Sequence, residues 1–333
     1  DSEGIEGKYY IWKHDELENI LKDKFDVFKK KYQITKEGNF EGSNILVENL
    51  DVNYSDDDIK KIVKLEKDLL DIRRKRNKPF FDDKSQTDLN SFWLYTTLYS
   101  SILLDNESLY TRSFKNSDIL FKLCEEKIFH CYSENKEINV FLEDYVYFCL
   151  LLLTAYEFKN DKSLLEKCEN LMNEAWNSFF NPNENVLQKN KVKSNDLFVE
   201  PIDLNDNNIP NGNSVYLFIC NKLFNILGNS KWEERKNILS QSFHSHINAN
   251  FSQMFSYIKV LDICEENITV TINSKTTNTI NKIKTLAIKN FMDKATIIYK
   301  EDDDKDYFII CKKQTCSPKL KNLEEVDKYL SAI

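Results

Sequence analysis

Acidic and amide side chains recur at the turns where predicted helices begin, and these are the residues best placed to do chemistry. The turns are Asp1–Gly4, Gly38–Leu46, Phe81–Lys84, Leu142–Tyr145 and Ile209–Ser214. Taken singly, each polar residue is also a good helix cap, because Asp, Asn and Ser accept hydrogen bonds from the first N–H groups of a helix. If the turns met at one end of a helical ring, their carboxylates would form the pairs used in glycoside hydrolysis and sugar isomerisation. The catalytic candidates on this hypothesis are Asp1, Glu3, Asp83 and Asp144, with Glu143 as an alternative to Asp144.

Other catalytic signatures are absent from the sequence. Its four histidines, His14, His130, His244 and His246, form no HExxH or CxxC…H pattern, so no metal site and no cofactor are predicted. There is also no P-loop, no GxGxxG and no GxSxG. The C-x4-C pair Cys311 and Cys316 fits either a structural disulfide or a redox pair, although its spacing is not that of a thioredoxin active site.

The composition describes a globular chain of one large or two smaller domains. Of its 333 residues, 41% are hydrophobic and 30% are charged, and the net charge is −8. The one basic run, Arg73–Arg76, ends a predicted helix, so no nucleic-acid partner is expected. The most apolar run, Val146–Ala155, is too short for a membrane span, which needs about 20 residues. The other cysteines lie mostly among apolar residues and are typical of buried thiols in a reducing compartment.

Helical periodicity dominates the chain as far as residue 264. Only 6 Gly and 5 Pro interrupt it, which favours long helices over a β-sandwich. Helices are predicted around Leu17–Phe28, after a cap at Ser55, and at Asp88–Leu104, Phe114–Cys131, Glu143–Phe158, Leu164–Phe179, Ser214–Leu227, Lys231–His246 and Ala249–Ile263. Between the sixth and seventh, Asn181–Asn211 reads as a long connection with one short strand at Leu197–Val199. Successive helical hairpins without a known repeat consensus indicate either an irregular α-solenoid or an α/α toroid.

The period changes after residue 265. A strand at Ile268–Ile272 is followed by a helix at Thr277–Phe291. Two β-rich runs, Ala295–Tyr299 and Tyr307–Cys311, flank the acidic turn Glu301–Asp306 and predict a hairpin. A helix at Leu323–Leu330 ends this βαββα module. The predicted fold class is therefore mainly α, part of an α/α toroid followed by a small α/β module, with domains at 1–264 and 265–333.

The polar turns also resemble the motifs of one family. DSEGIEGKYYIW is similar to D-A-D-S-E-G-x-E-G-x-[FY]-Y-x-W of the thioredoxin-domain-containing proteins related to spermatogenesis-associated protein 20, called YyaL-type in bacteria. Five further family motifs match in order, and together they span the chain. They fall at Gly38–Leu46, Arg73–Asn90, Leu142–Val146, Pro210–Ser214 and Cys311–Leu323.

The resemblance implies a fold and a set of partners. Family members carry a thioredoxin-like domain and then a six-hairpin, glycosidase-like α/α toroid, similar to N-acylglucosamine 2-epimerases. On this basis the chain is expected to be the C-terminal half of a longer cytoplasmic protein, without the thioredoxin domain and with any targeting segment upstream. The implied partners are a carbohydrate ligand or protein clients of the thioredoxin domain, and no membrane. Binding candidates on the motifs are Trp12, Glu41, Asn44, Lys84, Asn90, Asn213 and Ser214.

The sequence departs from the family at one telling position. Leu89 replaces a tryptophan that would suit sugar stacking, although Trp93 lies one turn further on. Three hypotheses therefore stay open: a sugar-directed enzyme or binding protein, a scaffold that presents clients to the thioredoxin domain, and a redox accessory acting through Cys311 and Cys316. Fold similarity to glycosidases is a weak warrant for function, so whether the protein is an enzyme stays undecided here.

Overall fold

The chain forms two compact units, Asp1–Asp83 and Lys84–Ile333. The computed structural model describes residues 1–132, 140–191, 204–301, 305–313 and 315–333, with the backbone alone at residue 249. The strand expected at Leu197–Val199 lies outside these residues, as does the middle of the acidic turn Glu301–Asp306. Among the described helices, none is long and apolar enough to cross a membrane.

The first unit is a small helical body with its own core. Its helices are α1 (His14–Leu21), α2 (Phe25–Lys31) and α3 (Asp56–Arg73). As predicted, Ser55 caps α3, since its hydroxyl accepts from the Asp58 N–H at 3.2 Å. The buried side chains of Trp12, Leu17 and Phe28 pack with apolar residues of α3.

The second unit begins with helices in two layers. They are α4 (Thr87–Leu103), α5 (Glu107–Leu123), α6 (Leu142–Lys159), α7 (Lys162–Phe179), α8 (Gly212–Leu227), α9 (Ser230–Asn250) and α10 (Phe255–Glu265). The inner helices α4, α6, α8 and α10 contact one another in that order, and α5, α7 and α9 each pack behind the preceding inner helix. This alternation of inner and outer helices is the arrangement predicted for part of an α/α toroid.

Burial separates the two layers as the sequence pattern requires. Every residue of α6 from Asp144 to Phe158 is buried, because neighbours cover the helix on all sides. The outer helix α7 instead buries one stripe that includes Leu165, Met172 and Phe179, which explains its strong amphipathic period. The helix boundaries differ from the prediction at three places. The predicted helix Leu17–Phe28 is two helices joined by a 3-10 turn at Lys22–Lys24, and α5 runs from Glu107 to Leu123, so that Cys131 lies in a short strand instead. Since α9 continues to Asn250 and a 3-10 turn follows, α10 begins at Phe255 rather than near Ala249.

Two short antiparallel pairs close loops at the ends of these helices. Strand β1 (Ser85–Gln86) pairs with β2 (Cys131–Tyr132), and β3 (Phe180–Asn181) pairs with β4 (Val186–Leu187). The first pair holds the segment after α5 against the start of α4, and the Thr87 N–H donates to the His130 carbonyl at 3.0 Å. This pairing fixes the backbone of His130 beside the first turn of α4.

The chain ends in the predicted module of strands and helices. Its elements are β5 (Ile268–Asn273), α11 (Thr277–Phe291), β6 (Ala295–Lys300), β7 (Tyr307–Lys312), β8 (Thr315–Cys316) and α12 (Leu323–Leu330). The strand order is β6-β5-β7-β8, with β5 parallel to β6 and antiparallel to β7. The predicted hairpin between β6 and β7 is therefore wrong. Strand β5 lies between them, since Val270 and Ile272 are completely buried in the module's core.

The module packs on the inner helices within the same unit. Strand β6 contacts α6 and α8, and α11 contacts α4. Both the helical layers and the module thus belong to the second unit. The division of the chain into domains at 1–264 and 265–333 stays a prediction.

Candidate functional site

In the first unit, the opening acidic loop is tied to the end of α3. Glu3 forms an ion pair with Lys8 and accepts from the Asn77 amide at 2.8 Å. The Ser2 hydroxyl donates to the Asn77 carbonyl at 2.6 Å. The Lys8 and Asn77 contacts lower the pKa of the Glu3 carboxyl. This loop is exposed at Asp1 and Glu3, and it shares a groove of about 520 Å³ with Lys75 and other residues of this unit.

The predicted aromatic and amide binders of this unit take structural positions. Trp12 is buried, and the Arg76 guanidinium lies over its ring at 3.9 Å while donating to the Ile11 carbonyl. The fully buried Asn44 side chain exchanges two hydrogen bonds with the backbone of Thr35, at 2.9 and 3.0 Å. Glu41 is exposed in a tight turn. Asp83 is also exposed, at the end of this unit.

In the second unit, a cavity of about 460 Å³ lies between the four inner helices. A cavity that touches α4, α6, α8 and α10 together requires their row to curve around it. Its apolar walls include Phe92, Leu150, Phe218 and Phe255. The volume falls in the range of small-molecule sites, roughly 300–1,000 Å³.

A polar group from the module forms one end of this cavity. Asp293, which follows α11, accepts from the Tyr95 hydroxyl at 3.2 Å and from Lys259 Nζ at 2.5 Å. Burial and the Asp293 carboxylate raise the pKa of Tyr95, so its hydroxyl stays protonated as a donor. All three residues line the cavity.

Carboxylates gather at the other end, where α4, α6 and α8 begin. Tyr147 marks the place, because its hydroxyl donates to the Pro210 carbonyl at 2.5 Å and its ring contacts Phe92. Burial raises the pKa of Tyr147, and the nearby carboxylates of Glu143, Asp88 and Asp206 raise it further. Asp88 lies one turn before Phe92 on α4, and Glu143 lies two turns before Leu150 on α6, so both stand near the rim of the cavity.

Asp206 holds the loop before α8 in place. Its carboxylate accepts from the Asn211 N–H at 2.9 Å, from the Ser256 N–H at 2.7 Å and from the Ser256 hydroxyl. These bonds join the loop to the first turn of α10 across the cavity. They also bring Ile209 and Pro210 into its wall.

The predicted pair Asn213 and Ser214 has divided roles. The Asn213 side chain accepts from the Leu187 N–H and donates to its carbonyl, both at 2.8 Å, so it holds strand β4. Ser214 lines the cavity and is 0% exposed. Its Oγ has no hydrogen-bond partner within the described part of the chain. A buried hydroxyl without a partner is costly, so Ser214 is suited to bind a ligand.

Asp144 lies just behind the rim. Its side chain is completely buried, accepts from the Phe141 N–H at 2.8 Å and lies 3.1 Å from His130 Nδ1. Burial raises the pKa of Asp144 to about 6, against the lowering effects of the Phe141 N–H and His130. Asp88 lies within 4.8 Å of both groups. His130 Nε2 in turn lies 3.1 Å from the Gln86 side-chain nitrogen.

The other predicted residues near α4 sit at its start. The Asn90 amide donates to the Gln86 carbonyl at 2.7 Å and to the Ser85 hydroxyl at 3.3 Å, so it stabilises the first turn. Lys84 is exposed. Leu89 and Trp93 are about half exposed on the same helix, which lines the cavity through Phe92, Tyr95 and Thr96 instead.

The two cysteines of the module form a disulfide. Cys311 on β7 and Cys316 on β8 are directly opposed across this pair of strands, and the bond closes their turn. Between the two alternatives left open by the sequence, this geometry matches a local disulfide. A redox role for the pair stays a prediction.

Three residues at this site were not among the site residues predicted from the sequence: His130, Asp88 and Asp206. His130 and Asp206 lie outside the short motifs, because they come from a connection and a long loop, and Asp88 lies within the Arg73–Asn90 motif without being singled out by it. The one available signal was that Asp88 follows Thr87 at a predicted helix start, which reads equally well as capping.

Comparison with known proteins gives a fold-level likeness alone. No family model matches the chain, and no curated protein matches it. Two similar solved structures are inactive variants of the alpha-1,6-mannanase GH76A of Salegentibacter sp. HEL1_6, in complex with alpha-1,6-mannotriose and alpha-1,6-mannotetrose. Each is 11% identical, with a TM-score of 0.39. The matches cover 57% and 56% of this chain and 54% of each mannanase chain, so it spans about half their length.

Proposed function

We propose that the second unit binds a carbohydrate in the cavity between α4, α6, α8 and α10. The observation that carries this proposal is the combination of aromatic walls with polar groups at both ends of one cavity. A sugar needs both, since its C–H faces pack on aromatic rings while its hydroxyls need charged or polar partners. The exposed acids of the first unit have no part in this proposal.

The cavity residues supply distinct parts of such recognition. Phe92 and Phe255 offer ring faces from α4 and α10, and Ser214 offers a buried hydroxyl. At the end formed by the module, the Tyr95, Lys259 and Asp293 cluster presents donors and an acceptor in a fixed arrangement. Leu89 is not among the residues that line the cavity, so a leucine in place of the family's tryptophan leaves the cavity walls unchanged.

Processing of the bound sugar would fall to the carboxylates at the rim. Glycoside hydrolysis uses one carboxyl as an acid and a second as a base or nucleophile. Asp88 and Glu143 are the candidates, since both influence Tyr147 at the cavity's rim. Asp144 is completely buried and bonded to its neighbours, so we assign it a positioning role toward His130.

The test measures the binding of a panel of mono- and oligosaccharides to the protein. Binding is detected by calorimetry and by the shift in the melting temperature of the protein. The wall variant is Phe255→Ala and its matched control is Phe251→Ala, because both rings are 62% exposed and Phe255 lines the cavity. Loss of a stacking ring should weaken binding roughly tenfold, about 1.4 kcal/mol. Ser214→Ala, which removes no bond within the described chain, should weaken it by about 0.5–1.5 kcal/mol.

Two results would count against the proposal. The first is that no sugar of the panel shifts the melting temperature of a cooperatively folded protein. The second is that Phe255→Ala and Phe251→Ala change affinity equally. Product analysis after incubation with a bound oligosaccharide then separates a hydrolase, which releases shorter sugars, from a binding protein.

A further inference from the structure

We propose that Asp88, His130 and Asp144 form a binding site for a divalent transition-metal cation such as Zn²⁺. One ligand atom from each of these residues lies within 4.8 Å of the others. A nitrogen donor with two carboxylates is a donor set that Zn²⁺ and Mn²⁺ accept. The site shares Asp88 and Asp144 with the proposed sugar site, but metal binding can be measured without any sugar, so the two proposals can fail independently.

The three ligands are held in place before any ion binds. Asp88 lies in the first turn of α4 and Asp144 in the first turn of α6. His130 is fixed between them, because its carbonyl accepts from the Thr87 N–H and the β1–β2 pair follows directly. Preorganised ligands spare an ion the cost of ordering the chain.

Hydrogen bonds to backbone N–H groups at the helix starts use one oxygen of each of the two carboxylates. Asp88 Oδ1 accepts from the Leu89 N–H at 2.7 Å, and Asp144 Oδ2 accepts from the Phe141 N–H at 2.8 Å. The other oxygen of Asp144, Oδ1, lies 3.1 Å from His130 Nδ1. Donor atoms about 3 Å apart suit one ion, since zinc–ligand bonds of about 2.0–2.1 Å span such a distance.

The charges of the site also favour a cation. Two helix N-termini carry a partial charge of about +0.5 each, which offsets about half of the two carboxylate charges. One net negative charge is left in a place where Asp144 is completely buried and the His130 side chain is 15% exposed. A divalent ion with three protein ligands would keep further positions for water, as open zinc sites do.

A fourth residue supports the orientation of the histidine. His130 Nε2 lies 3.1 Å from the Gln86 side-chain amide. Metal-bound histidines commonly donate their second ring N–H to an oxygen. With the Gln86 amide turned so that its oxygen faces Nε2, the Nδ1 lone pair points at the carboxylates. Without an ion, Nδ1 would instead carry the proton and donate it to Asp144.

The experiment uses the full chain after chelator treatment and dialysis. Zn²⁺ and Mn²⁺ are titrated by calorimetry, with Mg²⁺ for comparison, and bound metal is counted by elemental analysis. We expect one tight Zn²⁺ per chain, its loss in His130→Gln and about 10–100-fold weaker binding in Gln86→Leu. His14→Gln is the matched control, because His14 with Asp15 and Glu18 forms the other such cluster among the described residues.

The protonation of the His130 ring gives a readout that needs no variant. In ¹⁵N spectra of the wild-type protein, Zn²⁺ should move the ring proton to Nε2 and shift the Nδ1 signal. The proposal is overturned if no ion is retained after dialysis and no saturable binding occurs up to millimolar Zn²⁺. It is also overturned if binding survives His130→Gln and is lost in His14→Gln.

Discussion

The substitution Lys222→Met tests whether a buried ion pair joins the inner helices to the C-terminal module. Lys222 on α8 and Glu157 on α6 are each 2% exposed, and Lys222 Nζ donates to both Glu157 oxygens at 2.7 and 2.9 Å. Strand β6 completes the arrangement. The Ala295 carbonyl accepts from Lys222 at 2.8 Å, and the Ile297 N–H donates to Glu157 at 3.1 Å.

The size of the effect follows from what the variant leaves behind. Methionine fills the volume of the lysine stem, but Glu157 would keep only neutral donors, the Ile297 N–H and the Tyr99 hydroxyl, for a buried negative charge. Removing one partner of a buried pair costs about 3–5 kcal/mol. For a unit of this size about 2–4 °C of melting temperature corresponds to 1 kcal/mol, so the melting temperature should fall by roughly 6–20 °C.

The assay is urea and thermal denaturation of Lys222→Met, Glu157→Gln and the double variant at pH 7. The double variant should recover more than half of the loss, because glutamine is neutral and still accepts from Ile297. Lys282→Met on the exposed face of α11 is the control and should change stability by less than about 0.5 kcal/mol. A loss below about 1 kcal/mol in Lys222→Met, or no recovery in the double variant, would refute the reasoning.

Two further predictions concern a buried amine and a tight turn. Burial lowers the pKa of Lys284 to about 8, so between pH 8 and 10 the unfolded chain binds a proton that the folded chain lacks. The free energy of unfolding should therefore rise with pH relative to Lys284→Met, by up to about 1.4 kcal/mol per pH unit in urea titrations, and parallel profiles would contradict this. In thermal melts, Gly38→Ala should destabilise the first unit far more than Gly4→Ala. The Gly4→Ala substitution should cost about 1–2 kcal/mol, because it places an alanine in a left-handed backbone conformation. Both glycines have positive φ, but a Cβ at Gly38 would lie 2.4 Å from the Ser43 backbone whereas Gly4 faces open space; equal losses would be the contrary result.

Most of the helical fold could be predicted from the sequence. Periodicity and capping are local, so α3 after Ser55, the amphipathic α7 and the buried α6 agree with the predicted spans. The prediction was wrong where two local readings were equally good. The short link between β6 and β7 favoured a hairpin in which these two strands pair with each other. In the structure both strands pair with β5 instead, which lies between them and is buried.

The candidate site was harder to predict, because its parts are distant in sequence. The turns at Leu142–Tyr145 and Ile209–Ser214 do stand at helix starts, whereas no helix begins at Asp1–Gly4 or Gly38–Leu46. Ser214 and Asp144 both lie at the site in the second unit. The sequence motifs could not show that the side chains of Asn44 and Asn213 hydrogen-bond to backbone groups. An asparagine that binds a sugar and one that binds a peptide group look the same in a sequence.

By itself, the sequence determined the helices, their caps and their buried faces, because these depend on neighbours within about one turn. Only the tertiary structure decided which acids meet. It placed His130 between Asp88 and Asp144, and it paired Glu157 with a lysine 65 residues away and with a strand 140 residues away. The physical reason is that burial and charge pairing act through space, where packing of the inner helices sets the distances and residue spacing along the chain does not.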